Sequence, residues 1–195
     1  MSDKKQIWVL AGGNGAGKST FYSLYLEPRG IHLLNADVIA KEINPEKPES
    51  VSYEASSYAE RLSRDLLDKG VSFCFETVFS HESKIDFIAY AKSLGYEIIL
   101  VYIQLDCSDI NEARVQQRVS EGGHNVPSEK IRDRIPRTVN NITNAILLFD
   151  EARLLDNSSN VNPFKQVAEV RKGVLVNCIN PLPGWAEIIL KPITG

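Results

Sequence analysis

Residues 12–19 (GGNGAGKS) match the pattern G-x-x-x-x-G-K-[ST], which is typical of a loop that binds nucleotide phosphates. An apolar run at residues 7–11 precedes the loop and a helical pattern follows it, as this type of phosphate site requires. The glycines let backbone N–H groups point at phosphate oxygens, and the helix adds the positive end of its dipole. We therefore expect contacts with the phosphates of ATP from Gly13, Asn14, Gly15, Ala16, Gly17, Lys18, Ser19 and Thr20.

Two side chains of this loop have distinct expected roles. Lys18 is expected to reach the β- and γ-phosphates, and the Ser19 hydroxyl to bind Mg²⁺. The loop alone does not distinguish kinases from GTPases or transporter ATPases. However, the sequence has no N-K-x-D guanine motif, and residues 119–123 (VSEGG) match the L-S-G-G-Q signature poorly. A small kinase that transfers the γ-phosphoryl group of ATP to a bound acceptor fits best.

Two carboxylates follow predicted strands and are candidates for the acceptor site. Ligands of a parallel α/β sheet sit beyond the carboxyl ends of its strands, where Asp37 and Glu76 are expected. Asp37 is the predicted general base for the acceptor hydroxyl, with the N-cap of a helix starting at Val38 as its alternative. Glu76 and Thr77 are predicted to bind the acceptor. Glu76 could instead help hold Mg²⁺ through water or be a solvated strand-end carboxylate.

A concentration of arginines between residues 111 and 137 predicts a helical lid over the site. Charge spreads over the γ-phosphate oxygens during transfer, so a phosphoryl-transfer site needs cations beside it. We expect Arg118 and Arg134 to contact ATP and to act in catalysis, and Arg137 fits nearly as well as Arg134. The alternative is an exposed helical surface whose arginines pair with neighbouring acids. The arginines of the segment are Arg114, Arg118, Arg132, Arg134 and Arg137.

Alternating strand and helix patterns predict an α/β, three-layer P-loop NTPase fold. The expected sheet is mostly parallel and five-stranded, with a C-terminal edge hairpin at residues 165–170 and 173–178. Residues 1–195 are expected to form a single P-loop kinase-like domain, with the lid at approximately 108–150 and a break between its helices at Pro136. The predicted parallel strands are residues 7–11, 31–35, 71–75, 97–105 and 153–156.

Composition restricts the location and the partners of the protein. A net charge of −3 and a pI near 5.7 argue against nucleic acid as a partner, since proteins that bind nucleic acids usually carry a basic face. No run approaches the ~20 apolar residues of a membrane helix, so we expect a cytoplasmic protein without membrane contact. Cys74, Cys107 and Cys178 lack metal-site spacing and are expected to be small buried hydrophobic residues.

These motifs together resemble the zeta toxin family of P-loop kinases. The matching segments, spread over roughly residues 7–160, are GGNGAGKST, Asn35-Ala36-Asp37, Phe75-Glu76-Thr77, the lid with GGHNVP, and Asp156-Asn157-Ser158. The resemblance implies ATP and Mg²⁺ as cofactors and a sugar hydroxyl as acceptor, on UDP-N-acetylglucosamine in the toxin members. It implies Asp37 as base, Glu76 as a substrate-binding acid, and Arg118 and Arg134 as lid arginines.

The resemblance also implies an antitoxin protein as a partner. The helices that precede the loop in the larger toxins form part of the antitoxin-binding surface, and here the loop begins at residue 12. The expected function is an ATP-dependent kinase acting on a sugar or nucleotide sugar. Two alternatives remain: a nucleoside or polynucleotide 5′-hydroxyl kinase, and a nucleotide-binding ATPase or regulatory module without a phosphorylated acceptor.

Overall fold

A single twisted sheet organises the protein, and a computed structural model describes residues 4–120 and 126–195 of the chain. Within these residues seven strands pair in the order β2-β3-β1-β4-β5-β6-β7. Strands β1 to β5 run parallel, while β6 and β7 add an antiparallel hairpin at one edge. The predicted fold class is confirmed. The strands are β1 (Gln6–Gly12), β2 (Leu33–Leu34), β3 (Phe73–Thr77), β4 (Glu97–Gln104), β5 (Glu151–Asp156), β6 (Lys165–Arg171) and β7 (Val174–Cys178).

The two central strands have apolar residues on both faces, which is why the fold has three layers. In β1, Ile7 and Val9 belong to the core on one side of the sheet. Trp8 and Leu10, which alternate with them, belong to the core on the other side. Strand β4 lies beside β1 and is buried along almost its whole length. This double burial is typical of parallel sheets that are covered by helices on both faces.

Helices cover both faces of the sheet, and most of them connect successive strands. The first is short: α1 passes directly into a π-helical turn at Tyr22–Leu26 and a 3-10 turn at Glu27–Arg29. The helices are α1 (Lys18–Phe21), α2 (Ala36–Ile43), α3 (Ser52–Asp68), α4 (Ser83–Ser93), α5 (Ser108–Ser120), α6 (Ser128–Ala145) and α7 (Gly184–Thr194).

The predicted break at Pro136 is wrong, because α6 continues through this proline. Proline removes one helix hydrogen bond and normally kinks or ends a helix. Here buried residues before and after it, among them Ile131, Val139 and Ile142, keep both halves packed against the rest of the protein. The packing of α6 along one face therefore outweighs the tendency of Pro136 to break the helix.

The prediction that the three cysteines are buried is confirmed for only one of them. Cys74 in β3 is fully buried, but Cys107 and Cys178 are exposed. Cys107 lies in the loop after β4, and Cys178 is the last residue of the edge strand β7, where one side has no neighbouring strand. Proximity to an apolar run in the sequence does not distinguish a central strand from an edge.

In the part of the chain that the structure describes, no helix combines the length and the apolar character needed to cross a membrane.

Candidate active site

The phosphate-binding loop leaves β1 through glycines that no other residue could replace without strain. Gly17 has a φ of +98°, and a Cβ there would lie 2.5 Å from the side-chain nitrogen of Asn157. At Gly12 a Cβ would lie 2.3 Å from the carbonyl oxygen of Ile103 in β4. Contacts this short are prohibitive for any side chain. The loop is thus held tightly between β4 and the loop that follows β5.

Lys18 is buried at the centre of this loop. Its Nζ donates hydrogen bonds to the carbonyl oxygens of Gly12 (3.0 Å) and Gly13 (3.1 Å). The same atom lies 3.9 Å from a carboxylate oxygen of Glu76. The loop carbonyls hold the ammonium beside the space that the loop encloses.

Charges around Lys18 act on its pKa in opposite directions. Burial lowers the pKa below its ordinary value of 10.5, and the negative charges of Glu76 and Asp37 oppose that effect. The positive charges of Arg118 and Arg134 lower the pKa further. The two carboxylates and the two lid arginines are therefore close enough to one lysine to form a single electrostatic site.

Glu76 in β3 connects the phosphate-binding loop to Asn35, the residue that follows β2. Its carboxylate accepts a hydrogen bond from Asn35 Nδ2 (2.7 Å), and both of its oxygens lie 3.5 Å from the Ser19 hydroxyl. The side chain is only 9% exposed. The alternative of a solvated strand-end carboxylate is therefore wrong.

Asp37 lies in the first turn of α2, and it is not the residue that caps this helix. The N-cap is Asn35, whose side-chain oxygen accepts a hydrogen bond from the Asp37 backbone N–H (2.7 Å). The capping alternative for Asp37 is wrong because the helix begins earlier than the apolar pattern indicates. The carboxylate of Asp37 is exposed and lines the cavity in front of the loop.

Thr77 does not line this cavity. Its hydroxyl accepts a hydrogen bond from the backbone N–H of Phe79 (3.0 Å), a residue with a left-handed φ of 63°. This bond stabilises the turn after β3. The structure therefore assigns Thr77 a place in the turn after β3 and outside the lining of the cavity.

The cavity has a volume of about 610 Å³ and two ends, with the phosphate-binding loop between them. One end follows β2, and the other lies between α5 and the loop after β5, on the opposite side of β1 in the sheet. The first end is lined by Asn35, Asp37, Val38, Lys41 and Glu76. The second end is lined by Arg114, Gln117, Arg118, Asn157, Asn160, Pro163 and Phe164.

The structure distinguishes the arginines of the predicted lid. Arg118 lines the cavity, and Arg134 donates a hydrogen bond to the side-chain oxygen of Asn14 in the phosphate-binding loop (3.3 Å). Arg137 is exposed and donates to the Asp133 carbonyl in its own helix (3.0 Å). Of the two nearly equivalent candidates, Arg134 lies at the loop and Arg137 does not.

Arg132 forms exposed ion pairs with neighbouring acids, which is the alternative to a role in the lid. It bonds to Glu112 and lies 3.6 Å from Asp109, so it joins α6 to α5. The hydrogen bond from Arg132 lowers the pKa of Glu112 below its ordinary value, and the positive charge of Arg132 adds to the effect. The remaining lid feature, His124 in GGHNVP, lies outside the described residues.

Two buried asparagines bond to the phosphate-binding loop, and neither is predicted as a functional residue from the sequence. Asn111 in α5 donates to the carbonyl of Asn14 (2.7 Å), and Asn157 after β5 donates to the carbonyl of Ala16 (2.8 Å). Asn157 also accepts from the backbone N–H of Phe164 (3.3 Å). The position of Asn157 directly after a predicted strand was a signal that could have identified it. No sequence signal marked Asn111.

Solved structures with the same fold include two of the AvrRxo1-ORF1:AvrRxo1-ORF2 complex. The structure with sulphate ions has a TM-score of 0.74 and 20% identity, over 98% of this chain and 65% of the matched chain. The structure with ATP has a TM-score of 0.72 and 20% identity, over 97% and 64%. This chain thus spans less than two thirds of the AvrRxo1 chain that it matches.

A structure of the PezAT chromosomal toxin-antitoxin system of Streptococcus pneumoniae is also similar. It has a TM-score of 0.64 and 16% identity, over 85% of this chain and 72% of the matched chain. At such identities the similarity is one of fold, and it agrees with the zeta-toxin-like P-loop fold expected from the sequence.

Sequence comparison gives a closer relationship. An uncharacterized protein of Haemophilus influenzae (strain ATCC 51907 / DSM 11121 / KW20 / Rd) is 31% identical over 138 residues, which cover 67% of this chain and 98% of the relative. A family model described as an AAA domain matches residues 7–137, from the first strand to the lid arginines. The chain belongs to this AAA domain family.

Proposed function

We propose that the protein is a kinase of zeta toxin type, which transfers the γ-phosphoryl group of ATP to a hydroxyl of a sugar or nucleotide sugar. One observation carries the proposal: the cavity joins the phosphate-binding loop to Asp37, an exposed carboxylate beyond the strand ends. A simple nucleotide-binding loop has no need of a second, acidic end in the same cavity. A kinase needs such an end for its acceptor.

The proposed nucleotide occupies the loop and the end of the cavity formed by α5 and the loop after β5. The phosphates meet the backbone N–H groups of residues 13–20 and the ammonium of Lys18. Phe164 and Arg114 offer an aromatic ring and a planar guanidinium, which are suited to a nucleotide base. ATP as the nucleotide is supported by the similar AvrRxo1 structure that was solved with ATP.

Ser19 and Glu76 fit the requirements of a Mg²⁺ ion that accompanies ATP. Mg²⁺ prefers oxygen ligands and is usually held by one or two protein groups together with phosphates and waters. The Ser19 hydroxyl and the Glu76 carboxylate supply oxygens that lie 3.5 Å apart at the loop. When bound, the ion would neutralise charge on the phosphates.

Asp37 is the proposed base of the transfer. A carboxylate at this end of the cavity would orient the acceptor hydroxyl and accept its proton as the bond to phosphorus forms. Arg118 and Arg134 would stabilise the charge that develops on the transferred group. This role is supported by their influence on the pKa of Lys18, the residue proposed to bind the β- and γ-phosphates.

The acceptor would bind at the end of the cavity that lies beyond β2. Asn35, Asp37 and Lys41 present polar groups to that end of the cavity, as binding of a hydroxyl-rich molecule requires. The zeta toxin resemblance makes UDP-N-acetylglucosamine the first acceptor to test. We extend the proposal to an antitoxin-like protein partner, because the AvrRxo1 structure contains ORF1 together with ORF2 and the PezAT structure is of a toxin-antitoxin system.

The test is a transfer assay with γ-labelled ATP, Mg²⁺ and either UDP-N-acetylglucosamine or a metabolite extract. We expect a labelled sugar compound from the wild type and a rate lower by about 10²–10⁴-fold from Asp37→Asn, with ATP binding retained. Glu42→Gln is the matched control, since Glu42 lies exposed on the same helix and outside the cavity. Label only on nucleosides or oligonucleotide 5′ ends, or only in free phosphate, would overturn the proposal.

A further inference from the structure

Helix α2 presents two residues of opposite charge to the cavity. Asp37 and Lys41 are four residues apart and both line the end that lies beyond β2. The start of the helix is fixed because Asn35, its N-cap, also donates a hydrogen bond to Glu76. Side chains at this spacing lie on one helix face, with Cβ atoms about 5–6 Å apart. The positions of the two charges relative to the phosphate-binding loop are therefore set by the fold.

Lys41 has no partner for its charge within the described part of the chain. No carboxylate lies within 4.0 Å of its ammonium, and no hydrogen bond from its side chain is made, although Asp37 and Glu42 are near in sequence. The other cations that line the cavity lie elsewhere in it. Lys18 bonds to the loop carbonyls, while Arg114, which bonds to Asn160, and Arg118 lie at the opposite end. Among the described residues, Lys41 is thus the cation that lines the acceptor end of the cavity.

A neutral acceptor would leave the Lys41 charge solvated, whereas an anionic acceptor could pair with it. Asp37 repels any anion that approaches this end of the cavity, and Lys41 offsets that repulsion one helical turn away. Glu76 adds little repulsion because Lys18 and Asn35 already bind it.

We propose that Lys41 binds an anionic group of the acceptor, so that the substrate is a hydroxyl compound carrying a phosphate or carboxylate. This inference rests on the proposed kinase function and narrows its substrate class. The hydroxyl faces Asp37 and the anionic group lies about one helical turn away. The hydroxyl oxygen forms a bond to the γ-phosphorus and its proton passes to Asp37. The bond from the γ-phosphorus to the bridging oxygen breaks, and ADP leaves with the electron pair.

The experiment compares matched neutral and anionic acceptors in the γ-labelled ATP assay. The pairs are N-acetylglucosamine with UDP-N-acetylglucosamine, glucose with glucose 6-phosphate, and glucose with gluconate. We expect transfer to anionic members only, with the second and third pairs distinguishing phosphate from carboxylate. Higher ionic strength should raise the KM for the anionic acceptor because salt screens an exposed charge.

Variants then assign the preference to Lys41. Lys41→Gln should raise the KM for the anionic acceptor by about 10- to 100-fold, which is typical of losing a charged hydrogen bond, and leave the KM for ATP unchanged. Lys41→Arg should retain most of the affinity. Lys47→Gln is the control, since Lys47 is exposed, lies outside the cavity and carries the same charge.

Two results would overturn the inference while leaving the kinase intact. One is equal transfer to the neutral members of the pairs, and the other is an effect of Lys41→Gln no larger than that of Lys47→Gln. Absence of transfer to any acceptor, with ATP still bound, would overturn the kinase function and the inference together.

Discussion

Asn157 offers the sharpest test of how the phosphate-binding loop is held. Its amide donates to the carbonyl of Ala16 and accepts from the backbone N–H of Phe164, and the residue is 6% exposed. Asn157→Ala removes both bonds and leaves the Ala16 carbonyl buried without this partner. An unsatisfied buried polar group costs about 1–3 kcal/mol, so the free energy of unfolding should fall by roughly that amount.

Asn157→Asp separates the role in stability from the role in binding. The carboxylate has the shape of the amide, but an oxygen replaces the donor and faces the Ala16 carbonyl oxygen. It also adds a negative charge beside a loop that binds phosphates. Two unit charges of the same sign at 4 Å repel by about 4 kcal/mol at an effective dielectric constant of about 20. Nucleotide affinity should therefore fall in the order wild type, Ala variant, Asp variant.

Urea unfolding of the free protein and calorimetric titration with a non-hydrolysable ATP analogue measure the two effects. Asn177→Ala is the control, because Asn177 is exposed on the edge strand β7 and makes no side-chain hydrogen bond in the described structure; its stability should change by less than about 0.5 kcal/mol. If the Asp variant binds nucleotide as tightly as the Ala variant, the charge argument is refuted. If the Ala variant unfolds like Asn177→Ala, the bonds of Asn157 do not stabilise the loop.

Three further expectations concern the loop and the lid. Ser19→Ala should weaken the dependence of turnover on Mg²⁺ in a metal titration, and an unchanged titration would remove Ser19 from the metal site. Arg134→Ala should lower kcat by about 10²–10³-fold while Arg137→Ala leaves it unchanged, and equal effects would contradict the assignment from the Asn14 contact. The lowered pKa of Lys18 means that the unfolded state keeps this proton to higher pH than the folded state does. Stability of the free wild type relative to Lys18→Met should therefore rise with pH up to about 10.5, measured by urea unfolding, and a constant difference would refute the shift.

The parts of the site that follow from local rules could be predicted from the sequence. The phosphate-binding loop needs glycines and a lysine at fixed spacing, and its conformation depends mostly on its own residues. Glu76 and Asp37 were expected in one crevice because the carboxyl ends of parallel strands meet at one edge of a sheet. The structure brings both to the cavity.

Contacts between distant segments could not be predicted in the same way. Asn157 is 141 residues from the carbonyl that it binds, and Asn111 is 97 residues from its own. The backbone carbonyl of any residue accepts hydrogen bonds, whatever its side chain. The sequence therefore does not indicate which donor reaches a given carbonyl. The sequence favoured Arg134 but left Arg137 nearly equal to it, for a related reason. The choice between them depends on the rotation of α6, and the expected break at Pro136 left that rotation undetermined.

Helix α6 is better described as a fixed support than as a part that closes on its substrate. Thr138 donates to the Val78 carbonyl (2.9 Å) and Asn141 to the Phe79 carbonyl (3.1 Å), and both side chains are almost fully buried. Moving the whole helix would break both bonds. The Thr138 hydroxyl could still bond to the Arg134 carbonyl in its own helix (2.9 Å), but the buried Asn141 amide would be left unpaired, at a cost of about 1–3 kcal/mol. Arg134, one turn before Thr138, is consequently held at the loop before any acceptor arrives. A cation that is in place in advance stabilises developing charge without a cost of reorganisation during the transfer.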